Sequence, residues 1–121
     1  MNKEDLKKRT KLFTLRAIKL VNALPKIQLG TIIGNQLLRS GSSVGANYRT
    51  ACRSRSSAEF IAKIGTVIEE ADESIYWMEI IVESGLMKDE LVKSLINEAN
   101  EITAIMVASC KTSRKNNKNK K

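Results

Sequence analysis

Apolar residues recur every three or four positions along four successive stretches of this chain, and that spacing limits the folds open to it. At about 100° per residue, such positions form one stripe on a helix, whereas a half-buried strand needs strict alternation. The spacing predicts helices over about residues 5–24, 29–53, 56–84 and 88–111. The residues expected to face a shared core are, helix by helix, Leu6, Phe13, Ala17, Leu20 and Leu24; Ile33, Leu37, Ser40, Val44, Asn47, Tyr48 and Ala51; Phe60, Ile64, Val67, Ile68, Ala71, Ile75, Met78 and Val82; and Leu91, Leu95, Ala99, Ile102, Met106 and Cys110.

The predicted helix ends carry local signals. Pro25, the only proline, stops the first helix. Ser56 and Glu59 have capping-box spacing at the start of the third helix, and Gly85 suits its C-terminal end. Because the connections between helices are short, consecutive helices should be antiparallel neighbours. The sequence therefore predicts an all-α fold, an antiparallel up-down-up-down four-helix bundle.

The middle of the second helix is the weakest part of this prediction. Residues 40–46 read SGSSVGA, and each glycine costs about 1 kcal/mol relative to alanine in a helix. Periodicity on both sides favours one continuous helix, in which the small side chains permit close helix packing. The alternative is a loop that divides two short helices.

The length of 121 residues fits a single domain. We expect the bundle to span residues 1–111. The remaining residues, 112–121, are strongly basic and have no apolar side chain to anchor them. We therefore expect them to form a disordered tail.

The residue types argue against catalysis. The chain has no histidine, which excludes imidazole as a base or as a metal ligand. The carboxylates at 69, 70, 72 and 73 circle the outside of their predicted helix, so a solvated or salt-bridged face explains them better than a metal site does. The glycines of the chain do not have the spacing of a phosphate-binding loop between a strand and a helix. We expect no enzyme activity, no catalytic residue, no metal, no cofactor and no small-molecule substrate.

Compartment signals point to the cytoplasm. No apolar run approaches the roughly 18 residues of a membrane span, and the N-terminus lacks the apolar core of a signal peptide. Cys52 and Cys110 are far apart in sequence and form no disulfide framework, which suits a reducing environment. We expect a cytoplasmic protein with no membrane partner.

Charge is divided into segments. Residues 1–55 contain 12 Lys/Arg and 2 Asp/Glu, residues 56–110 contain 3 and 11, and residues 111–121 contain 6 and none. A positive half attracts RNA or DNA, but it can equally pair with the negative half within one bundle or between subunits.

Six basic residues are candidates for a functional surface. Arg39, Arg49 and Arg53 fall within about 80° of one another on the second helix. Their forked guanidinium groups suit nucleic-acid phosphate, and the alternative is pairing with the acidic third helix. On the first helix, Lys8, Lys11 and Lys19 have no evident acidic partner, so they are either phosphate contacts or a plain solvated face.

The helices carry more apolar surface than one four-helix core uses. Leu12 and Leu15 lie among the lysines of the first helix, and bulky residues accompany the carboxylates of the third. This surplus predicts a second buried surface, formed by self-association. The expected interface residues are Leu12, Leu15, Glu73, Tyr76, Trp77 and Ile80.

Two short sequence motifs at a fixed separation resemble those of a known family, the four-helix bundle proteins named 23S rRNA-intervening-sequence proteins. The motifs are SVGAN at residues 43–47 and RSSAEF at residues 55–60, and the resemblance extends over nearly the whole chain. Glu73 matches a glutamate inside the family's long third helix. The other matching residues are Ser43, Ala46, Asn47, Arg55, Ser56, Glu59 and Phe60.

The resemblance implies an antiparallel bundle that assembles into a ring, often a pentamer. The accessory proteins of diversity-generating retroelements are similar, and they look like pentameric barrels that bind nucleic acid and a reverse transcriptase. Gly45 stands where the family usually has proline, and Thr50-Ala51 replaces a common Glu-Gly. Roles tied to those positions do not carry over.

The leading hypothesis is a non-catalytic homo-oligomer, with a pentamer implied by the resemblance, that binds RNA or DNA through its basic surfaces. The alternative is a protein-interaction scaffold whose charges serve subunit assembly, with no nucleic-acid role.

Overall fold

Four α-helices account for nearly all of residues 1–119, which are the residues described by the computed structural model. They are α1 (Lys3–Ala23), α2 (Gln28–Cys52), α3 (Ser57–Glu83) and α4 (Asp89–Asn119). Consecutive helices pack along their lengths, and α1 and α4 meet over a smaller area. Within these residues the backbones of the diagonal pairs, α1 with α3 and α2 with α4, do not approach each other closely. The predicted all-α, up-down-up-down bundle is confirmed.

Side-chain caps fix the start of two helices. The Asn2 side chain accepts a hydrogen bond from the Asp5 backbone N–H at 2.8 Å, and the Ser56 hydroxyl accepts one from the Glu59 N–H at 3.1 Å. The Glu59 carboxylate accepts from the Arg55 N–H, one residue before the position that an ideal capping box uses. At the other end of α3, Gly85 follows the cap with φ +80°.

The glycine-containing middle of α2 is helical, so the alternative of a loop there is wrong. A side-chain carbon at Gly41 would lie 2.9 Å from the Ala17 Cβ, and one at Gly45 would lie 2.9 Å from the Thr14 hydroxyl. The glycines therefore let α1 approach α2 closely, and this packing offsets their poor helix propensity.

The core follows the predicted stripes on α1 and α2, whereas on α3 the completely buried Ile81 was not predicted and the predicted Val82 is only partly buried. On α4, Leu91 is the one predicted core residue that is exposed. Leu91 is 66% exposed, whereas its neighbour Val92 is completely buried. Val92 continues the three-and-four spacing of Leu95, Ala99 and Ile102, and it lies nearer the centre of that stripe than Leu91 does. The prediction that Leu91 is buried is wrong.

The helix α4 extends eight residues beyond its predicted end, from Lys111 to Asn119. The prediction of a disordered tail is therefore wrong for residues 112–119, and residues 120 and 121 lie outside the described part of the chain. This segment contains no proline or glycine. Because a packed helix precedes it, each added residue requires propagation and no new nucleus.

Within residues 1–119, every helix is too short or too polar to span a lipid bilayer.

Candidate functional site: a basic cleft and two exposed faces

The Arg39 side chain lies against the acidic helix α3. Its guanidinium contacts the Glu70 carboxylate at 3.3 Å and forms a close ion pair with Glu73. Glu73 also accepts a hydrogen bond from the Trp77 indole N–H at 3.1 Å. Of the two alternatives for the arginines, pairing with α3 is therefore the one that applies to Arg39. Because Arg39 is about half exposed, water weakens this pair.

The other two arginines face α1 and form what we call the basic cleft. Arg49 on α2 and Arg53 at the C-cap of α2 line a cleft of about 400 Å³ together with Lys8 and Lys11 on α1. A fifth basic residue, Lys7, also lines it and was missed in the sequence, because its position relative to α2 depends on how the two helices pack. The floor of the basic cleft consists of Thr14, Ser42, Gly45 and Ala46.

Glu4 is the one acidic residue that lines the basic cleft. It pairs with Lys7 at 2.7 Å, and the hydrogen bond from Lys7, reinforced by the charges of Lys7 and Lys8, lowers the pKa of the Glu4 carboxyl. The remaining four basic residues, Lys8, Lys11, Arg49 and Arg53, form no ion pair among residues 1–119. Five cations and one carboxylate leave a formal surplus of four positive charges at this cleft.

Lys19 lies elsewhere on α1. It lines a separate groove of about 360 Å³ between α1 and α4, together with Arg16 and apolar residues of both helices. This groove includes the exposed Leu91. The six predicted basic residues thus divide into three places: four in the basic cleft, Lys19 in the α1–α4 groove, and Arg39 on α3.

The predicted apolar surplus is smaller than the sequence suggests. Leu12, Leu15 and Tyr76 are each more than half exposed. Trp77 and Ile80 are only partly exposed and pack against the core. The prediction that both side chains lie away from the core is therefore wrong. The Tyr76 ring meets the Trp77 ring edge-on at 4.9 Å. Sequence spacing placed Trp77 and Ile80 off the core stripe of α3, but the Arg39–Glu73 ion pair and the Trp77–Glu73 hydrogen bond bring α2 beside Trp77.

The residues of the two sequence motifs, 43–47 and 55–60, form hydrogen bonds within helices, cap α3 and line clefts. The Asn47 side chain donates to the Ser43 carbonyl at 2.9 Å, while Ala46 lines the basic cleft. Ser56 and Glu59 cap α3 as described above. The half-buried Phe60 ring has the Lys3 ammonium 5.0 Å from its centre. Phe60, Arg55 and Ser56 also line an open pocket of about 800 Å³ at one end of the bundle.

The side chains that could bind a metal ion or undergo redox chemistry are dispersed over the described residues. Within residues 1–119, no three Cys, Asp or Glu side chains are placed to hold a metal ion. Cys52 is half-buried and Cys110 is buried, and both are free thiols.

Comparisons with known proteins identify relatives of this chain. The family model described as "23S rRNA-intervening sequence protein" matches residues 2–108. A crystal structure of a protein of unknown function, from the S23 ribosomal protein family of Bacteroides thetaiotaomicron, superposes with a TM-score of 0.83 at 32% identity. The match covers 88% of this chain and 98% of that one. A comparison with curated proteins finds no match.

Proposed function

The chain belongs to the 23S rRNA-intervening sequence protein family, and we propose that it is a non-catalytic, homo-oligomeric bundle that binds RNA or DNA through basic surfaces. The subunit number expected from the resemblance is five. The proposal that it is not an enzyme is supported by the absence of histidine from the sequence and by the dispersed carboxylates of the described residues.

One observation supports self-association most directly: α1 and α3 are diagonal helices whose outward faces differ in charge. The outward face of α1 carries Leu12, Leu15 and Lys19, close to the basic cleft. On the outward face of α3, exposed Tyr76 is surrounded by exposed carboxylates, namely Glu69, Asp72, Glu79 and Glu83.

These two faces are complementary in both charge and apolar content. A face that binds a different face on the next copy makes a heterologous contact, and such a contact closes into a ring when its rotation permits. Contact between the α1 face and the α3 face would cover Leu12, Leu15 and Tyr76 and place lysines beside carboxylates. The arrangement therefore supports a ring of identical subunits.

Light scattering on the purified protein tests the assembly. We expect an oligomer at micromolar concentration, and a monomer there would overturn the proposal. Leu15→Glu and Tyr76→Lys each place a like charge in the contact and should release smaller species. Ile32→Glu is the matched control, because Ile32 is an apolar residue of α2, 51% exposed and outside both faces.

An electrophoretic shift of RNA and of DNA over a salt series tests the nucleic-acid half. Phosphate contacts weaken as salt rises, so binding should be strongest at low salt. Absence of a shift even at low salt would remove this half of the proposal.

The second candidate is a protein-interaction scaffold whose charges serve assembly. It is favoured by the pairing of Arg39 with Glu70 and Glu73, which shows one basic residue occupied inside the protein. Replacing Arg49 and Arg53 by alanine separates the two candidates. Loss of assembly would support the scaffold, whereas intact assembly with lower nucleic-acid affinity would support the leading proposal.

A further inference from the structure

We infer that the basic cleft between α1 and α2 is where nucleic acid binds, and that it grips the phosphate backbone without reading the bases. This inference rests on the proposed nucleic-acid role and assigns that role to one surface and one mode of binding.

The spacing of the charges suits a chain of phosphates more than a single anion. Lys8 and Lys11 are about one helical turn apart on α1, and Arg49 on α2 is about one turn from Arg53 at the C-cap of that helix. A turn rises about 5.4 Å, so each wall of the basic cleft presents two cations in succession. Two facing pairs of cations can hold consecutive phosphates of one strand.

These cations are available because the protein does not use them. The four basic residues Lys8, Lys11, Arg49 and Arg53 are exposed and have no carboxylate partner among residues 1–119. Arg39, on the same helix, is by contrast held by α3. Like charges gathered without compensation repel one another, and a polyanion relieves that repulsion.

The floor of the basic cleft offers little to a base. The Thr14 hydroxyl donates to the Gly41 carbonyl at 2.8 Å, and the Ser42 hydroxyl donates to the Arg39 carbonyl at 3.0 Å. Both hydroxyl protons are therefore already engaged. No aromatic ring lines the basic cleft, so bases have no surface on which to stack.

An acidic polypeptide is the other macromolecule that such charges could attract. Peptide recognition generally adds apolar pockets for side chains to the charged contacts. Here the floor is built from Gly45, Ala46, Ser42 and Thr14, with no large apolar residue. The shallow, charged cleft favours a phosphate backbone.

The test is a fluorescence binding titration with the whole protein. The probes are two labelled duplexes of unrelated sequence and one labelled single strand, each measured between 50 and 200 mM salt. We expect the two duplexes to bind within about threefold of each other, because phosphate contacts carry no sequence information.

The key variant removes two cations from the cleft, Arg49→Ala with Arg53→Ala. It should weaken duplex binding at least about tenfold at low salt and reduce the slope of log affinity against log salt by about 2. The charge-matched control, Lys88→Ala with Lys93→Ala, removes two exposed cations outside the cleft and should change affinity less than about threefold. Circular dichroism and light scattering verify that both variants keep their helices and assembly.

Each other outcome overturns a defined claim. If the wild-type protein binds no probe, the nucleic-acid half of the proposed function fails. If it binds but both double variants lose affinity equally, the assignment to the basic cleft fails while the proposed function stands. A preference above about tenfold between the duplexes overturns the backbone mode. Polyglutamate that binds the basic cleft more tightly than duplex overturns nucleic acid as its ligand.

Discussion

Arg9 and Glu98 join α1 to α4 through two parallel hydrogen bonds. The Arg9 Nε and Nη2 atoms lie 2.7 Å from the Oε2 and Oε1 atoms of Glu98, respectively, and both side chains are largely buried. The hydrogen bond to Glu98 raises the pKa of the Arg9 guanidinium, and the nearby Glu101 carboxylate, at 3.6 Å, adds to the effect. Of the adjacent helix pairs, α1 and α4 share the least surface, and this ion pair joins them.

Replacing Glu98 by glutamine should therefore destabilise the bundle. The change removes the charge from a bidentate pair and leaves Arg9 partly desolvated, at a cost of about 1.5 kcal/mol in the free energy of unfolding. Urea unfolding followed by circular dichroism measures it. Glu4→Gln, which breaks the exposed pair with Lys7, is the control and should change stability little. Equal effects of the two substitutions would contradict a special role for Arg9 and Glu98.

Two glycine substitutions should have opposite effects on stability. A methyl group at Gly41 meets the Ala17 Cβ at 2.9 Å, so Gly41→Ala must push α1 and α2 apart and should cost about 1–3 kcal/mol. At Gly65 the space around the new methyl is empty to 4 Å, and Gly65→Ala should gain up to about 1 kcal/mol from helix propensity. Thermal unfolding gives both signs. A stabilising Gly41→Ala would contradict the close packing of α1 on α2.

A buried pair of serines links α2 to α3. The Ser40 and Ser74 hydroxyl oxygens lie 2.9 Å apart, and each also lies near a carbonyl of its own helix, Leu37 at 3.3 Å and Glu70 at 2.8 Å. Either single change to alanine should cost about 1 kcal/mol, because it removes the hydrogen bond that joins the helices.

The double change of Ser40 and Ser74 to alanine should cost less than the sum of the single changes. A hydrogen bond lost by the first substitution cannot be lost again by the second. A double-mutant cycle of unfolding free energies measures this coupling. Strict additivity would show that the two hydroxyls act independently.

Stability should fall in alkaline solution because of Tyr48. Burial, with a smaller contribution from the neighbouring Cys52 thiol, raises the pKa of the Tyr48 phenol. A phenol in the unfolded chain ionises near pH 10, so the unfolded state releases its proton first as pH rises. The contribution of Tyr48 to stability is thus complete below about pH 10 and is lost above it.

Denaturant midpoints between pH 8 and pH 11 measure this loss. Tyr48→Phe removes the buried phenol and should flatten the alkaline part of the curve. Tyr76→Phe keeps the buried phenol and should leave that part steep. The same slope in all three proteins would assign the alkaline effect to other groups.

Periodicity predicted the helices and their antiparallel order because it depends only on residues within one helix. Two of its errors lie where a neighbouring helix decides the outcome. Spacing alone grouped Arg39 with Arg49 and Arg53. In the structure Glu73 lies beside α2 and pairs with Arg39, so Arg39 does not belong to the basic cleft. Trp77 was expected to be exposed for the same reason: its cover comes from another helix.

The predicted limit of α4 failed for a different reason. Composition marked the residues after Lys111 as unable to pack, but a helix already formed can continue without packing. Lys7 shows a third kind of omission. It belongs to the basic cleft only because α1 and α2 approach closely at Gly45, and no pattern within α1 reveals that approach.

The dependence of α2 on its neighbours bears on how the protein folds. Residues 40–46 are poor helix formers, and they are helical where α1 packs on one side of α2 and α3 on the other. A peptide with the sequence of α2 alone should be largely unstructured in water. We therefore expect loss of α1 to unravel α2 and expose the surface of α3, so that the bundle unfolds as a single cooperative unit.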